Sequence, residues 1–264
     1  MVSPRGYCYF TAPRPGGAST TRGSNHMMMR FIKATWILFW AILLTLILFL
    51  PIFVTALLGK RGDAAFAGTQ IYAWVLLKVT GIRLRVTGLE HIQPGQRYVI
   101  LSNHASYLDP PALVLALGIQ YRWVIKKEIR KVPLFGLALE TSRNLFIDRS
   151  KGSEALASIK RGVAQLPDGT GVLLFPEGTR SWDGKLLPFK KGGFVIAKDG
   201  NLPILPITIR GSHDRLPKGH AAFTAGTIDV IIHPPVTLNH KPLDELMAEV
   251  RNTIESGLTP TSSG

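Results

Sequence analysis

Apolar residues are distributed along this chain in three successive patterns. Residues 1–29 are polar, rich in Pro, Gly, Ser and Thr, without an acidic residue, and read as a disordered tail. From Ala34 to Leu58 the run ATWILFWAILLTLILFLPIFVTALL contains no charge at all. As a helix its ~25 residues extend about 37 Å, against roughly 30 Å of hydrocarbon in a bilayer. A core helix of a soluble domain is normally shorter and keeps a polar stripe, and the apolar region of a cleaved signal is shorter too. Trp36 and Trp40 suit an interfacial end, and Pro51 is expected to kink or end the helix. AAFAGTQIYAWVLLKVTG (64–81) predicts a second helix lying on or in the same membrane. Residues 30–81 thus form a hydrophobic two-helix membrane anchor. Cations flank both ends of the long run, Arg30 and Lys33 before it, Lys60 and Arg61 after it, so loop charge leaves its orientation open. Met27–Met29 offers an alternative translation start.

From about Ile82 the pattern becomes that of alternating strands and helices. IRLRVTG alternates as a strand, and RYVILSN (97–103) is a continuous apolar run of the kind buried inside an α/β sheet. Further strands are expected at YRWVIK (121–126), LFIDR (145–149), GVLLFP (171–176), LPILPITIRG (202–211) and TIDVIIHPPV (227–236). Helices are expected over 110–118, with Pro in the first turn and Gly at the end, over 153–166, and over 242–256. The two prolines of LPILPI lack donors, which predicts an edge or irregular strand suited to the wall of an acyl-chain groove. The fold class is α/β: a mixed sheet flanked by helices, preceded by the membrane anchor.

Composition narrows the partners. A net charge of +14, from 31 Lys and Arg against 17 Asp and Glu, calls for an anionic partner, nucleic acid, acidic lipid or a phosphorylated substrate, and charge alone does not choose among them. The single cysteine, Cys8, excludes an internal disulfide and fits a reducing compartment. No Cys/His pattern has metal-site spacing, His220, His233 and His240 included. His213 and Asp214, a second His/Asp pair without chemically loaded company at a strand end, read as structural.

Three chemically loaded segments directly follow strands: NH after YVILS, DR after LFI, and EGTR after VLLFP. Strand ends are where open α/β sheets gather function. In NHASYLD (103–109), His104 and Asp109 are too far apart to share one face of a straight helix, and Pro110 and Pro111 disfavour helix at Asp109. The chain between them must turn. In that turn a carboxylate on one ring nitrogen fixes the imidazole tautomer and leaves the other free to take a proton. Asn103 is expected to support the loop through backbone hydrogen bonds. In FPEGTRS (175–181) the Gly178 turn would present backbone N–H groups, Arg180 offers a fork suited to phosphate, and Glu177 would orient a substrate hydroxyl or neighbouring backbone. KKEIRKVPLFG (126–136) and RNLFIDR (143–149) are dense in cations and read as a basic face that is solvated or rests on anionic lipid. One or two of these cations would hold a substrate phosphate.

The blocks NHASYLD, KKEIRKVPLFG…NLFIDR, FPEGTRS and LPILPI, in this order over about residues 95–215, resemble the glycerolipid acyltransferases, specifically the 1-acyl-glycerol-3-phosphate acyltransferases. The resemblance implies an acyltransferase domain over 82–256, a flexible C-terminus over 257–264, and acyl transfer from acyl-CoA or acyl-carrier protein to the free hydroxyl of 1-acyl-glycerol 3-phosphate, giving phosphatidic acid. By motif match His104 and Asp109 are the catalytic pair. Arg149, Glu177, Gly178 and Arg180 bind the acceptor, Arg180 near its phosphate, with Lys126 a further phosphate ligand unless the adjacent Lys127 takes its place. Arg143 stands where the family often has Gly. No cofactor beyond the acyl donor is expected, nor a nucleic-acid partner. The anchor implies a membrane with anionic lipids and a catalytic domain on its cytoplasmic face. Another lysolipid acceptor, such as a lyso-ornithine lipid, or glycerol 3-phosphate is the alternative within the family. A basic membrane-tethered binding protein is the alternative outside it, and leaves the His–Asp spacing and EGTR unexplained.

Overall fold

The computed structural model describes residues 20–58, 63–148, 150, 152–238 and 240–259. Seven strands form one sheet: β1 (Ile82–Thr87), β2 (Val99–Ser102), β3 (Tyr121–Lys126), β4 (Leu145–Ile147), β5 (Gly171–Leu174), β6 (Ile204–Arg210) and β7 (Gly226–Ile232). Their order is β1-β7-β6-β2-β5-β3-β4, with β6 and β7 antiparallel and every other neighbouring pair parallel. The helices are α1 (Thr20–Leu58), α2 (Asp63–Val79), α3 (Asp109–Ala116), α4 (Phe135–Thr141), α5 (Gly152–Ala164), α6 (Gly192–Gly200), α7 (Ser212–Arg215) and α8 (Leu243–Leu258).

Alternation along the strands divides the core into two layers. Ile100, Leu173, Leu205 and Ile207 pack under α2 and α3 on one face. Val99, Leu101, Val172 and Ile204 pack under α5, α6 and α8 on the other. Between β2 and β5 the outgoing connections part: β2 leads into α3 on the first face, β5 into α6 on the second. Such a switch opens a crevice at the strand ends.

LPILPI is not at an edge. β6 lies between β2 and β7, with Ile204–Ile209 buried. Pro206 is accommodated because its nitrogen faces the same side as the Ile204 N–H, which donates to Val236. On that side β7 has already ended, and His233 instead donates its N–H to the Pro206 carbonyl at 3.0 Å. The missing donor therefore costs one bond at the last pair of the β6–β7 ladder, where the Pro206 carbonyl stays satisfied.

α1 begins at Thr20, inside the stretch read as a polar tail, and continues through Pro51 to Leu58. A proline removes one intrahelical bond, and packing here sustains the helix beyond it: Ile52 is buried against Gly68 of α2. The two helices are antiparallel, since Trp36 Nε1 donates to Val79 O at the far end of α2. Among the described residues α1 alone is long and apolar enough to cross a membrane, over Met27–Val54. α2 is an inner layer, with Ala65, Phe66, Ala73 and Leu77 buried. Residues 59–62, which include the flanking Lys60 and Arg61, and residues 1–19, which include Cys8, lie outside the described residues.

Candidate active site

β2 ends at Ser102, and the next residue extends its pairing by other means. The Asn103 side chain donates Nδ2 to Ile209 O at 2.8 Å and accepts the Ile209 N–H at 2.7 Å, a side-chain continuation of the β2–β6 ladder. His104 follows on the loop thus held. Its Nδ1 lies 2.8 Å from Asp109 Oδ2, and the same oxygen accepts the N–H groups of Ala105 and Ser106, each at 2.8 Å. Asp109 is fully buried at the start of α3, while the His104 side chain keeps 17% of its surface exposed. A carboxylate only accepts, so Nδ1 carries the proton and Nε2 presents its lone pair.

Phe175, the residue after β5, stacks face to face on the His104 ring with centroids 3.8 Å apart and planes 8° apart. It reads in the sequence as one more apolar residue at a strand end, and only the apposition of β2 and β5 gives it this task. Phe175 also touches Trp123 of β3, which lines an apolar cavity.

Glu177 is buried and turned inward. Oε1 accepts the His104 N–H at 2.6 Å and Oε2 the Leu187 N–H at 2.9 Å. Both oxygens serve the protein backbone, so Glu177 positions the His104 loop, the neighbouring-backbone role expected of it. Burial pushes its carboxyl up to about 7, against the opposing pull of the Leu187 and His104 N–H bonds; the Asp109 charge adds to the rise and Arg251 counters it. Gly178 has φ 73°, a left-handed conformation costly for any side chain. Its N–H donates to Phe175 O at 3.0 Å, so it shapes the turn and does not offer that donor to a ligand.

Arg180 is half-buried, its guanidinium 3.4 Å from the centroid of the Tyr107 ring. Its Nη1 is buried without a hydrogen-bond partner among the described residues. Lys218 holds the backbone beneath it, donating to Arg180 O at 3.0 Å and Thr179 Oγ1 at 3.2 Å. Buried donors are rarely left unmatched, and a planar fork with a free N–H fits an anionic oxygen.

Lys126 closes β3 on the same sheet edge but at its periphery, opposite Ile147 of β4, with its ammonium half-exposed and 3.6 Å from Glu128. Lys127 is ion-paired with Asp148, whose carboxyl it holds well below the ordinary range. Arg149 lies outside the described residues. The structure brings His104, Asp109, Glu177, Gly178 and Arg180 together, and Lys126 ends the strand that pairs with β5, its ammonium 3.6 Å from Glu128. His213, in α7, packs its ring against Gly184.

Beside this cluster runs an apolar cavity of about 390 Å³ between the N-terminal helices and the sheet domain. Leu44, Leu48 and Ile52 of α1, Tyr72 of α2, Val114 of α3 and Ala138 of α4 line it, and Tyr107 joins it to Arg180. An apolar cavity joined through Trp123 and Phe175 to a His–Asp pair, and through Tyr107 to an anion-seeking arginine, is the arrangement of an enzyme acting on an amphiphile.

The family model described as Acyltransferase matches residues 83–210. Human 1-acyl-sn-glycerol-3-phosphate acyltransferase alpha is 34% identical over 229 residues, covering 85% of this chain and 77% of that protein. The 1-acyl-sn-glycerol-3-phosphate acyltransferase of Limnanthes douglasii is 32% identical over 78% of this chain and 71% of its own. The crystal structure of the 1-acyl-sn-glycerophosphate (LPA) acyltransferase PlsC from Thermotoga maritima superposes with a TM-score of 0.76 over 90% of this chain and 96% of that one, at 24% identity, and has the same fold. The chain is an O-acyltransferase by class. It belongs to the 1-acyl-sn-glycerol-3-phosphate acyltransferase family.

Proposed function

We propose that this enzyme transfers a fatty acyl group from a thioester, acyl-CoA or acyl-carrier protein, to the free hydroxyl of 1-acyl-sn-glycerol 3-phosphate, forming phosphatidic acid. The observation that carries the reading is the 2.8 Å His104 Nδ1 to Asp109 Oδ2 contact, locked by two backbone N–H bonds on the same carboxylate oxygen. His104 Nε2 takes the proton of the acceptor hydroxyl as its oxygen attacks the thioester carbonyl. The tetrahedral intermediate collapses with cleavage of the C–S bond, and the imidazolium returns the proton to the departing thiolate. Asp109 stabilises the transient imidazolium. The unpartnered Nη1 of Arg180 receives an acceptor phosphate oxygen, and the apolar cavity holds an acyl chain. The long apolar α1 holds the enzyme at the membrane where acceptor and product reside. The excess of cations favours anionic lipid, with the catalytic domain on the cytoplasmic side.

Purified full-length protein supplied with acyl-CoA and lysophosphatidate is expected to consume the thioester and form phosphatidate. His104→Ala should lower kcat by about 10²–10⁴-fold while still sedimenting with vesicles. A mutant as fast as the wild type removes the general base. A panel of lysolipid acceptors and glycerol 3-phosphate in the same assay tests the acceptor, since preference for another head group would displace lysophosphatidate.

A further inference from the structure

Residues 127–141 form a tight helical hairpin that no part of the catalytic cluster requires. A short 3-10 turn (Lys127–Lys131) is followed by α4, and the two approach so closely that a Cβ on Gly136 would lie 2.3 Å from the carbonyl oxygen of Arg130. Arg130 and Glu140 pair across the hairpin. The tip between the arms is Val132-Pro133-Leu134, and Leu134 sits at φ 57°, a conformation a branched side chain rarely adopts. The hairpin is thus built to hold an apolar tip in a fixed place.

That tip is not covered. Val132 is 44% exposed and Leu137, one turn into α4, is 41% exposed. Cations stand at both ends of α4: Lys131 beside the tip and Arg143 past the far end are exposed and have no acidic partner among the described residues. The inner side of the same hairpin rests on the N-terminal helices. Phe135 meets the Tyr72 ring of α2 at 6.2 Å, and Phe135 and Ala138 share the apolar cavity with Leu44 and Leu48 of α1. The exposed apolar tip is therefore continuous with α1, whose outer residues Leu46, Ile47 and Leu50 are 57–63% exposed.

We propose that this hairpin is a second membrane contact, distinct from α1. Val132, Pro133 and Leu137 enter the interfacial region, and Lys131 and Arg143 face anionic head groups. Apolar side chains flanked by cations and joined to an apolar helix match the chemistry of an anionic lipid surface. The contact would fix the rotation of the catalytic domain about α1 and hold the cavity mouth toward the lipid. The inference rests on the reading that α1 lies in the membrane.

The test uses the full chain with Cys8→Ser and one new cysteine carrying an environment-sensitive fluorophore, at Val132, at Leu46 of α1 or at Ser256 of α8 on the opposite side of the sheet. Vesicles contain phosphatidylcholine with or without phosphatidylglycerol, and a fraction of the lipid carries a shallow nitroxide quencher. The expected result is a blue-shifted emission and at least two-fold quenching at Val132 in phosphatidylglycerol vesicles, intermediate between Leu46 and an unaffected Ser256. Lys131→Glu with Arg143→Glu should reduce the Val132 quenching and leave that at Leu46 unchanged. If Leu46 is quenched and Val132 stays in water, the hairpin contact is refuted and the anchoring by α1 stands. If neither site meets lipid, both fall. Equal quenching with and without phosphatidylglycerol overturns the assignment of Lys131 and Arg143 to anionic head groups.

Discussion

His104 and Asp109 were legible as a pair because their relation is local: a short loop closed by two prolines leaves few ways for the ring and the carboxylate to meet. Glu177 was legible as functional but not in its role. Its acidity left a substrate hydroxyl and neighbouring backbone both open, and both oxygens bind backbone N–H groups of residues far apart in sequence. That burial has a pH signature. The folded value of about 7 stands above the ordinary 4.5, so the contribution of Glu177 to stability is complete below pH 4.5 and is lost as pH rises toward 7. The full swing is on the order of 3 kcal/mol. Glu177→Gln cannot ionise and lacks this swing. Urea titrations of both proteins between about pH 4.5 and pH 7 should show wild-type stability falling relative to the variant, and a constant difference would refute the assignment. The variant is also expected to be a poorer catalyst above pH 7, where the wild-type carboxylate accepts both N–H groups that hold the His104 loop.

At the scale of elements, the seven strands were readable because each is an apolar run bounded by turn residues or, in β1, an alternating one. α4 and α6 were not: at 7 and 9 residues they give too few turns for a helical period to show, and their glycines argue against helix locally. The position of β6 inside the sheet was invisible for a different reason. Proline reports a missing donor but not which way it faces. α8 was found by its period, yet its part in the site was not. Arg251 donates to Leu187 O at 2.7 Å and Leu186 O at 3.1 Å, on the segment whose Leu187 N–H binds Glu177. The C-terminal helix thereby steadies the His104 loop through a chain of hydrogen bonds. Arg251→Met should cost about 2 kcal/mol of stability through lost charge-assisted bonds, read as a lower denaturant midpoint. Turnover should fall with little change in KM for the acceptor, and Arg251→Lys should restore part of both.

At the scale of the whole molecule, the cavity belongs to neither the N-terminal helices nor the sheet domain alone, since α1, α2, α3 and α4 each supply a wall. Ala138→Phe would fill part of it from α4. A few methylenes' worth of lost space is worth about 1–3 kcal/mol, so kcat/KM for long acyl chains should fall at least ten-fold relative to short ones. Competition between long and short acyl-CoAs reads this ratio, and an unchanged ratio would place the acyl chain elsewhere. The amino-acid order alone determined the apolar leader, the strand-rich α/β character, the reactive residues at strand ends and the cationic excess, because each is encoded in neighbours along the chain. Tertiary structure alone decided that Phe175 stacks on His104, that Glu177 and Arg251 brace its loop, that β6 is interior, and that the leader completes a pocket. These depend on which strands lie side by side and which way side chains turn, and that is set by packing between residues that local patterning cannot relate.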